Sequence, residues 1–128
     1  MAENEITPAH IDELLRFLPL LDKPGHDFIQ EWRGSGNQLP YPVYEPVVEQ
    51  FMAAAGQTHW MDFGYQPQPA GAMLYDDAVL AAADLPAIKT MLTFVVRGER
   101  FGDGHWGNLL KNGRIVALLN HLKTIQNE

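Results

Sequence analysis

Cysteine is absent from the 128 residues. That removes disulfides, thiolate catalysis and Cys-based zinc sites together, and it agrees with a reducing cytoplasm. Serine occurs once, at Ser35 in a glycine-rich stretch, so no Ser-His-Asp arrangement can be argued. No apolar run approaches the ~20 residues of a membrane span. The first five residues, Met1-Ala2-Glu3-Asn4-Glu5, lack the basic start and apolar centre of a signal peptide. The expectation is a cytoplasmic chain without membrane attachment.

Positive charge is missing from the middle of the chain. Residues 34–88 hold six acids and no Lys or Arg, whereas residues 89–128 hold six bases against three acids. The net charge is −7. Two readings follow: the basic third packs beside the acidic middle and the fields cancel, or the basic third carries an anion site. Nucleic-acid binding through Arg97, Arg100, Lys111, Arg114 and Lys123 is the weakest use of these charges, because the chain is acidic overall and has no reading motif.

What is present fits one globular domain spanning 1–128. Hydrophobic residues make up 46%, and a chain of this length buries a core without staples. Thr7-Pro8 starts a helix whose apolar face is Ile11, Leu14, Leu15 and Leu18. Pro19 ends or kinks it. Phe28, Ile29 and Trp32 suggest two helical turns over 26–33, closed by Gly34. Residues 34–44 read as loop, with two prolines and two glycines among them. Pro46 opens a helix with Val47, Val48, Phe51, Met52 and Ala55 on one face, stopped by Gly56. Residues 57–70 read as an irregular, aromatic-rich connection, where a short strand or a functional surface remains open.

Asp76 or Asp77 can cap a short helix, and Asp84 the next. No breaker appears from Ile88 to Val96, so a helix is expected through Phe101. Leu85, Ile88, Leu92 and Val95 fall on one side, with Thr90, Thr93, Arg97 and Arg100 on another. Asp103 is read as the cap of a helix carrying Trp106, Leu109 and Leu110, ending at Asn112-Gly113. Ile115, Leu118, Leu119, Leu122 and Ile125 define the last helix. The fold class expected is mainly α, with about five to seven helices joined by long aromatic-rich loops and the Asp84 and Arg114 helices at the centre.

The string Gly102-Asp103-Gly104-His105-Trp106-Gly107 fits the letters of a dinucleotide fingerprint. The chemistry behind that fingerprint needs a strand before the glycines and a helix after them. Here a helix precedes, so the match is set aside. Asp62-Phe63-Gly64 is a kinase-like triplet in a chain too short for the rest of that machinery. The five histidines show no zinc-ligand spacing, and no metal site or cofactor is expected; gathering Asp103, His105 and His59 would need the tertiary fold.

The segment 97–105 is the best candidate site. Glu99 and His105 are the candidate catalytic groups, and Arg97, Arg100, Asp103 and Trp106 the candidate binding residues. Glu99 continues the stripe of Ile88, Leu92 and Val95, which aims a carboxylate inward. It must then be paired, hydrogen-bonded or protonated. One reading has Glu99 pairing with Arg100 or Arg114, or satisfying the backbone N–H groups that open the next helix. The other makes it an acid or base with a shifted pKa. Arg97 and Arg100 could clamp an anion or stay solvated.

Leu92, Thr93, Arg97, Glu99, Arg100, Phe101, Asp103, Gly104 and His105, followed by Gly113 and the Leu-rich stretch to Leu122, resemble a family of short bacterial and archaeal proteins of unknown function. Ala82-Ala83-Asp84-Leu85 is similar as well. In that family a cysteine often stands where this chain has Gly102, so the resemblance implies no thiol chemistry here. It marks a region and supplies no activity. The favoured reading is a binding or interaction module for a protein or a small anionic ligand, possible also as a homo-oligomer. The alternative is a small hydrolase or lyase, with Glu99 or His105 as general base and Arg97 and Arg100 as anion clamp.

Overall fold

The computed structural model describes residues 6–34, 36, 39–100 and 102–127. Ser35 and Phe101 lie outside the described residues. The architecture is mainly helical: seven α-helices of more than one turn, one single-turn α-helix, two 3₁₀ turns and one two-stranded hairpin among the described residues. No helix is long and apolar enough to cross a membrane.

Local sequence chemistry accounts for most helix starts. Helix α1 (Pro8–Leu15) begins at Thr7, whose hydroxyl accepts the His10 N–H while His10 Nδ1 accepts the Thr7 N–H. This is a reciprocal capping box with histidine in the third position. Pro19 sits in the first turn of the single-turn α2 (Leu18–Leu21), where a missing N–H costs nothing. Helix α3 (Pro46–Ala55) opens on Pro46 and stops at Gly56, burying Val48, Phe51, Met52, Ala54 and Ala55. Asp76 caps α5 (Asp77–Ala81), and Asp84 caps α6 (Leu85–Arg97). The last two helices are α7 (His105–Lys111) and α8 (Arg114–Gln126).

The expected centre is the observed one. Helix α6 packs on α3, α4 (Pro67–Tyr75), α7 and α8, and α8 also packs on α1, α2, α4, α5 and α7. Ile88, Met91, Leu92 and Val95 meet Ile115, Leu118, Leu119 and Leu122 in one hydrophobic cluster with Phe17, Phe51 and Trp60.

Four expectations are corrected. Residues 26–33 are not helical: β1 (Ile29–Arg33) pairs antiparallel with β2 (Tyr41–Tyr44), which also makes 41–44 a strand rather than loop. Phe28 has φ +62°, a left-handed conformation that no α-helix accepts. The apolar spacing there was not a face, since Phe28 is buried while Trp32 is 52% exposed. Pro42 is tolerated because each strand of a hairpin pairs along one edge only. Second, residues 67–75 form α4, with Pro67 and Pro69 both in its first turn. Third, α6 ends at Arg97, and Gly98–Arg100 tightens into a 3₁₀ turn. Fourth, Thr93 is fully buried rather than on a polar side. Its hydroxyl donates to the Lys89 carbonyl and accepts the Asp62 N–H, both at 2.8 Å.

Candidate functional site

Helix α7 starts without its expected cap. Asp103 makes no capping bond; Gly104, at φ +91°, is the residue before the first turn. The anion that meets the free N–H groups is Glu99. Its Oε2 accepts the Gly104 N–H and its Oε1 the Trp106 N–H, each at 2.8 Å. Tyr44 donates its hydroxyl to Glu99 Oε1 at 3.0 Å and accepts the Gly107 N–H at 3.1 Å. A carboxylate and a phenol from two distant segments therefore satisfy three backbone donors at one helix start. Burial pushes the Tyr44 phenol well above its usual range; the neighbouring Glu99 charge adds to this, while the Gly107 N–H opposes it. Tyr44 thus stays a donor across the physiological range.

This arrangement fixes the candidate residues. Both Glu99 oxygens accept bonds at this helix start, by the backbone-capping route rather than from Arg100 or Arg114; Arg114 instead binds Asp77 at 2.7 Å. Trp106 donates its indole N–H to the Val96 carbonyl at 3.1 Å and packs on Tyr44 with ring centroids 5.4 Å apart. Arg100 and Asp103 are exposed and do not line the cavity described below. Two glycines of the 102–107 string have local reasons: Gly104 takes a left-handed backbone, and a Cβ on Gly107 would lie 3.0 Å from Ile29 Cδ1. With the donors of Gly104, Trp106 and Gly107 all occupied, the string offers no phosphate cradle.

His105 behaves differently. Its ring lies directly over Gly98, where a Cβ would meet Nε2 at 2.2 Å. Nε2 is 3.2 Å from the Phe94 carbonyl. A carbonyl only accepts, so Nε2 carries the proton and Nδ1 keeps its lone pair. Burial lowers the His105 pKa, against the opposing pull of the Phe94 carbonyl and Glu99, so the ring is neutral near pH 7. It forms one wall of a cavity of about 420 Å³ lined by Tyr65, Pro67, Phe94, Gly98, Gly102 and His105. Phe94 meets His105 edge-on, with centroids 4.9 Å apart.

The aromatic connection supplies the far wall. Asp62 ties it to α6: Oδ2 accepts the Thr90 hydroxyl at 2.7 Å and Oδ1 the Gly64 N–H at 3.0 Å. That anchor sets Phe63 and Tyr65 beside Arg97, whose guanidinium lies 5.4 Å and 5.8 Å from their ring centroids. Tyr44, Tyr65, Pro67, Phe94 and Gly98 escaped the sequence reading. The only local signal was the aromatic content of residues 57–70, which left a functional surface open. Among the described residues, no three His, Cys, Asp or Glu side chains gather as metal ligands.

A second histidine has the same titration sense. His59 stacks on His10 at 3.6 Å with rings 9° apart, and its Nε2 is buried without a hydrogen-bond partner among the described residues. Burial lowers its pKa first, His10 and Lys89 add to this, and Glu13 opposes. A depressed folded-state pKa contributes stability above the ordinary value of 6.5 that is lost as pH falls through the folded value. The melting temperature is therefore expected to drop as the pH falls below about 6.5. In His59→Phe the drop should be smaller. A melting temperature that stays level over this range in the parent would contradict the assignment.

These features define a small, mainly helical protein whose fold builds an apolar cavity beside a carboxylate-capped helix. The chain belongs to the family described as a family of unknown function, DUF6508, which it matches over residues 6–128. No curated protein and no solved structure matches it.

Proposed function

We propose that the protein is a binding module and that its ligand site is the cavity between the Tyr65–Pro67 segment, the end of α6 and the start of α7. The cavity itself carries this reading. Its volume of about 420 Å³ falls in the range of small-molecule sites, and rings, a proline and two glycines line it among the described residues, with the His105 imidazole and the Tyr65 phenol as polar side chains. Two of its walls rest on anchored elements: α6 buries the face carrying Ile88, Met91, Leu92 and Val95 in the core, and α7 is pinned by Glu99 and Tyr44.

The hydrolase or lyase alternative has less support. Glu99 does not line the cavity, and three donors occupy its oxygens. Beside His105, the Tyr65 phenol is the one hydroxyl among the described residues that line the cavity, and no Ser, Thr, Lys or carboxylate side chain joins it there. The binding reading is tested by amide-detected NMR against a panel of small planar aromatic compounds. Ligands should shift Tyr65, Gly98, Gly102 and His105 first. Hits that map consistently to another face would count against this site.

A further inference from the structure

We infer that the cavity selects small aromatic carboxylates, with Arg97 reading the carboxylate at its mouth; this rests on the binding reading above. The walls supply the first half of the argument. Tyr65, Phe94 and His105 present flat rings, and Gly98 and Gly102 present bare backbone, which together accept a flat hydrocarbon ring closely.

Arg97 supplies the second half. It immediately precedes Gly98, a wall residue, and its guanidinium rests against the ring of Tyr65, another wall. Phe63 holds the group from a second side, although this ring is 62% exposed and buries little of its own surface. The ion pairs among the described residues are His26–Glu45, Arg33–Glu31 and Arg114–Asp77, so Arg97 has no carboxylate partner there. The two acids nearest in sequence or contact are already engaged, Glu99 by α7 and Asp62 by Thr90 and Gly64. A guanidinium held over aromatic rings spends no N–H donor on an acceptor atom there, and its planar fork matches a carboxylate bidentately.

The test uses an isosteric pair, naphthalene-2-carboxylate and naphthalene-2-carboxamide, titrated calorimetrically into the parent chain and into Arg97→Gln at low salt. The parent should bind the acid about tenfold tighter than the amide, the size of one charge-assisted contact. Arg97→Gln should abolish that preference, weakening the acid by more than the amide. Equal binding of acid and amide by the parent would overturn this inference while the binding reading stands. A preference that survives Arg97→Gln would remove Arg97 from the role. Failure of both probes to bind would overturn the inference together with the cavity reading. Arg97→Lys is the second variant: it keeps the charge without the planar fork, so it should retain only part of the preference, and full retention would contradict a bidentate contact.

Discussion

Glu99→Gln is expected to lower folding stability by about 1–3 kcal/mol, the cost of leaving a buried donor without its acceptor. The carboxylate has two accepting oxygens and uses both: Gly104 N–H on one, Trp106 N–H and the Tyr44 hydroxyl on the other. A carboxamide has one accepting oxygen. Whichever way it turns, its NH₂ group faces a donor. Glu99→Leu removes every acceptor and should cost more. Tyr44→Phe strands the Gly107 N–H and should cost about 1–2 kcal/mol. Because Glu99 and Tyr44 share one bond, the double variant should cost less than the sum of the singles. Denaturant midpoints give the energies, and hydrogen exchange at Gly104, Trp106 and Gly107 locates them. A Glu99→Gln unfolding curve that overlays the parent's would remove the structural role and return Glu99 to the list of catalytic candidates.

The contrast between Glu99 and His105 shows what the sequence could and could not carry. Helix starts were legible where the signal lies within a few residues: Thr7-Pro8, Pro46, Asp76 and Asp84 each act on the turn that follows. The stripe Ile88, Leu92, Val95 was legible because its period is that of a helix. The hairpin was not. Its pairing joins Trp32 to Pro42 and Arg33 to Tyr41, and neither strand has an apolar period of its own. Helix α4 was hidden by Pro67, Pro69 and Gly71. The prolines are harmless in a first turn, and Gly71 is needed because a Cβ there would lie 3.0 Å from the Phe94 ring.

The candidate site was legible as a place rather than as an arrangement. Two cationic, two acidic and one imidazole side chain within nine residues marked 97–105. Which of them face a cavity depends on walls from far along the chain. Tyr65, Pro67 and Phe94 enclose His105, while Tyr44 draws Glu99 to the helix start and away from the cavity. Asp103 looked like the cap because it stands at the right spacing. Glu99 took that role because the 3₁₀ turn at Gly98–Arg100 brings its longer side chain back over α7.

The cavity reading meets its most direct test at Gly102. This residue lines the cavity, its backbone is not left-handed, and a Cβ added there would meet nothing within 4 Å. A large side chain at 102 meets no close neighbour at its Cβ and is expected to reach into the cavity without disturbing the core, in contrast to Gly98, where even a methyl group would strike His105. Gly102→Phe is expected to fold with stability within about 0.5 kcal/mol of the parent, as for surface substitutions away from packed features. It is also expected to lose binding of naphthalene-2-carboxylate by more than about tenfold. Calorimetric titration of that probe into parent and Gly102→Phe, with a melting curve for each, reads both quantities. Loss of binding with unchanged melting is the predicted result. A folded Gly102→Phe that binds the probe as tightly as the parent would contradict the account, because the ligand would then sit somewhere other than the cavity that His105 and Phe94 enclose.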